Sequence, residues 1–327
     1  MPPTHSAPTN SQAPRSRAIF VVGAGRSGTS AITRGLQALG VELGDRLKAP
    51  TEKNPTGFFE DRDLLRIAKR VRAELGLRSE SVSLIDTEQW SLPAIRALND
   101  EAAEVIERRF ANYPLWGFKY AQTLRMLPFW TKVLDRAGVD LSFVVAARNP
   151  LSVARSRSKL DPLRGRQEKT DLEWLVNVVP YFRHLAAYPF VVVEYDRLME
   201  DPGTQLTRMA ERLDIPLDAA ARQGIDAFTG EFLQPGMRHT RFTESDLDQD
   251  PRLNPLTRDA YRWLRRLAID ETGPEDGDLW RDWERIEARL IEAAPMLRHV
   301  DYLEAAARRR QAGPFARLLS GLSRRRS

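Results

Sequence analysis

Two kinds of hydrophobic pattern alternate along the chain. Short runs rich in β-branched and aromatic residues occur at 18–22 (AIFVV), 115–119 (LWGFK), 141–147 (LSFVVAA) and 190–194 (FVVVE). Such continuous apolar runs mark strands buried on both faces. Between them lie segments whose apolar residues recur at helical spacing, among them 61–75, 96–110, 151–158, 172–187 and 203–213. This alternation predicts an α/β fold in three layers, a central parallel sheet flanked by helices, with the site at the carboxyl ends of the strands. From about residue 255 the pattern is helical only. It carries Trp263, Trp280 and Trp283, and Pro295 interrupts the last long helix. The expected architecture is therefore an α/β body with a helical C-terminal addition, without internal repeats.

The first strand runs into a glycine-rich turn, Gly23-Ala24-Gly25-Arg26-Ser27-Gly28, and Thr29 and Ser30 open the helix that follows. Glycines there let backbone approach an anion, and the free N–H groups of the helix start point at it. The spacing fits two phosphate-binding frames. Gly23-x-Gly25-x-x-Gly28 matches the dinucleotide fingerprint, and Gly23 to Ser30 matches the P-loop frame with Thr29 in the lysine position. Without that lysine, ordinary ATP or GTP chemistry is disfavoured, although a kinase or triphosphatase on the same fold stays open. The dinucleotide reading needs a second strand ending in an acid, and only the weak segment Val41 to Asp45 is available. Arg26 supplies a planar fork suited to an oxyanion.

A second motif follows the 141–147 run: Arg148-Asn149-Pro150, with Ser156 eight residues after Arg148. Proline suits a first helical turn, so Arg148 ends a strand and Ser156 lies about two turns into a helix. Both can face one anion.

In these paired motifs the chain resembles the sulfotransferases that use 3′-phosphoadenosine 5′-phosphosulfate (PAPS), whose fold is P-loop-like. Asn54-Pro55-Thr56-Gly57-Phe58-Phe59-Glu60, Trp116-Gly117-Phe118-Lys119 and the segment Phe190 to Pro202 resemble further stretches of that family, in the same order. The resemblance implies that Arg26, Ser27, Gly28, Thr29 and Ser30 hold the 5′-phosphosulfate and that Arg148 and Ser156 hold the 3′-phosphate. It places Lys119 near the transferred group and Tyr195 beside the adenine, and it makes Arg238 and Arg241 candidates for a basic loop over the 3′-phosphate. The implied co-substrate is PAPS, with 3′-phosphoadenosine 5′-phosphate (PAP) as product. By family analogy the acceptor is a hydroxyl of a glycan or glycolipid.

The family's histidine base is missing, because Tyr120 and Ala121 follow the lysine. Several members use a glutamate downstream of the first motif instead, so the resemblance implies Glu60 as the base, with Arg26 and Lys119 as electrostatic partners and His239 and His184 as substitutes. Glu60 and Asp61 also precede a helix, where acids are favoured for dipole reasons alone. A nucleotide-binding relative without activity is the remaining alternative. No histidine or carboxylate spacing suits a metal, and none is assigned.

Composition narrows this picture. A chain of 327 residues can bury a full core. The absence of cysteine excludes disulfides and thiolate chemistry and fits a reducing cytoplasm. The net charge of +5 resides in the ends: Arg15 and Arg17 in a Pro/Ser/Thr-rich arm read as disordered (1–17), and seven arginines in a basic tail (305–327). The body, 18–304, is left at about −4, which argues against nucleic-acid binding. The tail mixes Phe315, Leu318, Leu319 and Leu322 with arginine, a composition suited to weak adsorption on an anionic membrane surface.

Overall fold

Four strands pair in parallel in the order β2-β1-β3-β4: β1 (Arg17–Val22), β2 (Leu115–Lys119), β3 (Asp140–Ala147) and β4 (Phe190–Glu194). All four coincide with the continuous apolar runs. The computed structural model describes residues 15–50, 57–232 and 242–323, without the side chains of 231, 232 and 311–323. In register, Phe20 of β1 stands between Phe118 and Phe143. Alternation along β1 divides the interior in two. Ala18, Phe20 and Val22 face one hydrophobic layer, whereas Ile19 and Val21 face the other.

The helices are α1 (Thr29–Ala38), α2 (Arg62–Glu74), α3 (Pro93–Phe110), α4 (Leu127–Arg136), α5 (Pro150–Ser158), α6 (Gln167–Val178), α7 (Tyr195–Glu200), α8 (Pro202–Arg212), α9 (Ala219–Ala227), α10 (Glu244–Gln249), α11 (Pro255–Ala268), α12 (Gly277–Glu292) and α13 (Ala294–Ser323). α2, α3, α4, α6, α11 and α12 contribute to the first layer, and α1, α7 and α8 to the second. Phe20 anchors the first layer with edge-to-face contacts to Trp116, Phe118, Trp130 and Phe143 at 5.4–6.4 Å. Phe182 does the same for the C-terminal helices, packing on Trp263, Trp280 and Trp283.

Several boundaries differ from the sequence reading. The expected helix 172–187 is two elements, α6 and a 3-10 turn at Phe182–Ala187, with Tyr181 at φ 63° between them. Pro180 removes a backbone donor and ends α6. The Val41 to Asp45 segment forms only an isolated bridge, Glu42 to Trp116. Pro295 lies in the first turn of α13 rather than interrupting a helix. α13 continues without a break through residue 304, and Arg308 on it pairs with Glu80. At the other end, Ser16 and Arg17 of the expected arm join the fold: the Ser16 carbonyl accepts from Asp140 N, and Arg17 Nη1 donates to the Leu213 carbonyl at 2.7 Å.

Candidate active site

The loop between β1 and α1 is shaped by close approach. At Gly28, with φ +86°, a Cβ would stand 2.1 Å from Tyr195 Cδ2; only glycine lets the loop pass the ring at the start of α7. No side chain caps α1, so its first N–H groups remain directed out of the helix end. Arg26 takes a left-handed conformation, φ +75°, uncommon for a side-chain-bearing residue. Ser27 is fully buried, and its hydroxyl has no hydrogen-bond partner. Thr29, in the position of the P-loop lysine, is buried in the first helical turn.

The second motif folds onto the first. Asn149 caps α5 by accepting from Leu151 N, Pro150 occupies the first turn, and Arg148 is left at the end of β3. Its Nη1 donates to the Arg26 carbonyl at 3.1 Å, while Arg26 Nε donates to Ser156 Oγ at 3.1 Å. Arg148 also lies over the Tyr195 ring, 4.3 Å from its centroid, a cation–π contact that fixes both groups. Its Nε is buried without a partner. Partial desolvation first, and the Arg148 cation second, pull the Arg26 guanidinium below its ordinary range. Two guanidiniums, a buried hydroxyl and a helix start thus converge with donors to spare, an arrangement that an oxyanion would complete.

A cation missing from the loop arrives from the neighbouring strand. Lys119 ends β2, and its Nζ donates to Ser30 Oγ at 3.3 Å and to Glu60 Oε1 at 3.0 Å. Burial lowers the Lys119 pKa, with the Glu60 carboxylate opposing that shift. Lys48 approaches the other oxygen of Glu60 at 3.7 Å and stacks over Phe58. The neighbouring acids divide their work. Asp61 caps α2, accepting from Asp63 N and Leu64 N, and binds Arg109 through both oxygens, whereas Glu60 faces Lys119. Phe59, at φ +53°, makes the turn that separates them.

The residues read from the sequence therefore form two adjoining groups, Arg26, Ser27, Gly28, Arg148, Ser156 and Tyr195 in one and Ser30, Lys119 and Glu60 in the other. Arg238, Arg241 and His239 lie outside the described residues, as do Asn54, Pro55 and Thr56. His184 does not join the site. It sits in the 3-10 turn that leads into β4, at the amino-terminal edge of the sheet. Sequence reasoning missed Lys48 and also Arg157, a buried arginine one residue beyond Ser156. The succession Arg155, Ser156 and Arg157 was its only signal; the step of about 100° between neighbouring helical residues gives Ser156 to Arg26 and turns Arg157 to the buried Glu173.

Parallel sheet, lysine-less glycine-rich loop and strand-end arginine together define an α/β protein of the P-loop-like class. Residues 18–219 match the sulfotransferase family model, and the chain belongs to that family. It is accordingly an enzyme of sulfuryl transfer. Similar solved structures include the Mycobacterium avium sulfotransferase STF9, at 17% identity over 80% of this chain and 78% of that one, TM-score 0.42. The Mycobacterium tuberculosis H37Rv sulfotransferase STF1 is 18% identical over 66% of this chain and 74% of that one, TM-score 0.39. The sulfotransferase domain of the Synechococcus PCC 7002 olefin synthase is 16% identical over 88% and 98%, TM-score 0.39. No curated protein matches the chain.

Proposed function

We propose that the chain transfers a sulfuryl group from PAPS to an acceptor hydroxyl, with PAP as the second product. One observation carries the choice of donor: Arg148 and Ser156 meet Arg26 of the phosphate loop, with Ser27 Oγ and Arg148 Nε buried and unpartnered beside them. A nucleotide bearing phosphate at both its 3′ and 5′ positions satisfies both motifs. ATP and adenosine 5′-phosphate leave Arg148 and Ser156 without a ligand.

In the proposed reaction the acceptor oxygen forms a bond to sulfur as the bond between sulfur and the 5′-phosphate oxygen breaks, and that oxygen keeps the electron pair. The loop N–H groups and Arg26 hold the 5′ end in line. Lys119, bridging Ser30 and Glu60, offers its positive charge to the oxygen on which charge develops. Glu60 takes the proton from the acceptor hydroxyl. Fixed cations supply the electrostatic stabilisation in this scheme, and no step calls for a metal.

The acceptor class follows family analogy, a glycan or glycolipid hydroxyl. For the tail we propose weak contact with an anionic membrane surface from the cytoplasmic side; among the described residues no helix is long and apolar enough to cross a membrane. Calorimetric titration tests the donor assignment. Tight binding of PAP with much weaker binding of adenosine 5′-phosphate and ATP is expected, and equal affinity for the three would remove it.

A further inference from the structure

Beneath the phosphate loop lies an ion pair that the reaction scheme does not use. Arg157, 7% exposed, donates from Nη1 to Glu173 Oε2 at 2.7 Å and from Nη2 to the Gly25 carbonyl at 3.4 Å. Glu173 on α6 is 1% exposed and also receives Arg164, through Nε and Nη2 at 2.7–3.0 Å. Arg164 Nη2 continues to the Ser79 carbonyl at 2.9 Å. One buried carboxylate thus serves two guanidiniums, of which Arg164 is partly exposed and also faces Glu80 and Asp161.

We propose that Arg157, held by Glu173, is a positioning residue that sets the phosphate loop for its anionic ligand. A trans peptide unit is planar with its C=O and N–H on opposite sides. Arg157 draws the Gly25 carbonyl toward the interior, which turns the Arg26 N–H the other way. Arg148 takes the next carbonyl, that of Arg26. Two guanidiniums from opposite ends of one strand–helix motif thus hold two successive carbonyls of the loop, and they hold Arg26 in its left-handed conformation. Burying a paired Arg and Glu is seldom a gain in stability over apolar packing, so the pair needs another reason for its place. The aimed N–H, with the Arg157 guanidinium fixed behind it, favours an anion at the loop.

The inference rests on the PAPS reading, and the experiment separates the two. Adenosine 3′,5′-bisphosphate is titrated first into the wild-type enzyme; failure to bind there counts against the donor, not against Arg157. With wild-type binding established, Arg157→Lys keeps the buried cation and its Glu173 partner but loses the two-pronged reach to Gly25. Arg157→Met with Glu173→Met removes both charges of the pair and leaves Arg164 its Ser79 contact and solvent. The expected result for each folded variant is an affinity for the bisphosphate, and a donor KM, worse by ~10-fold or more, with kcat at saturating donor within about threefold of wild type. A purely structural pair would instead lower the melting temperature and leave the affinity of the folded protein unchanged. Wild-type affinity in Arg157→Lys, or in the double variant, overturns the proposal. If the double variant does not fold, Arg157→Lys alone decides.

Discussion

Lys119 Nζ stands 3.0 Å from Glu60 Oε1 at the end of the edge strand β2, and the same ammonium reaches Ser30 on the helix that follows the phosphate loop. The pair links the two halves of the site.

The first prediction follows from that pair. Glu60→Gln keeps the shape of the side chain and removes its basicity, so turnover should fall by ~10²–10⁴-fold. Affinity for PAP should stay unchanged, since Glu60 lies outside the group formed by Arg26, Arg148 and Ser156. Near-normal turnover in the variant would exclude Glu60 as the base.

Arg148→Ala separates the two phosphate positions. Charge-assisted hydrogen bonds are worth ~1.5–3 kcal/mol each, so affinity for PAP should drop by ~10–100-fold. Binding of adenosine 5′-phosphate should change far less. Parallel calorimetric titrations of the two nucleotides check this, and a uniform loss for both would move Arg148 from ligand recognition to loop support.

Gly28→Ala asks for a Cβ 2.1 Å from Tyr195 Cδ2 at a positive φ. Either the loop or the ring must shift, at a cost of ~1–3 kcal/mol for the backbone alone. A lower melting temperature and weakened PAP binding are expected together. Wild-type melting temperature and PAP affinity in the variant would show that the loop or the ring moves aside at no cost.

Asp171 predicts a pH effect on stability away from the site. Burial pushes its pKa up to about 7, although Asn254 N and Gln167 Nε2 donate to it and oppose the shift. Because the folded state binds this proton more tightly than the unfolded chain, the contribution to stability is fully present below the ordinary carboxyl pKa. It is lost as pH rises through about 7. Thermal melts between about pH 5 and about pH 8 should show the wild type losing more stability with rising pH than Asp171→Asn. Identical slopes would show that Asp171 is ionised throughout.

For the tail, removal of residues 311–327 should leave turnover on a soluble acceptor unchanged. Binding to anionic vesicles should fall, and the lost part should be the salt-sensitive part. Vesicle binding unaltered by the truncation would assign no membrane role to it.

Much of this molecule is legible in one dimension. The four strands are continuous apolar runs because both faces of a parallel strand are covered, and glycine and proline mark where helices begin and end for local reasons that any reader of the chain can apply. Gly28, Arg148-Asn149-Pro150 and Ser156 carry their placement in their spacing. Less is visible where two segments must meet. That Asp61 caps a helix while its neighbour Glu60 turns to Lys119 depends on the backbone at Phe59, and nothing in the residue types distinguishes the two acids. Arg157 looks like any arginine of an exposed helix; its burial is decided by α6 bringing Glu173 against it. His184 is eligible by type, but it lies in the segment that enters β4, at the amino-terminal edge of the sheet and away from the site. Local chemistry thus determined the elements and the glycine-rich loop. Only the packing of distant segments decided which charges are paired, which are buried, and which remain to meet a ligand, because the free energy of a charge is set by its surroundings rather than by its place in the chain.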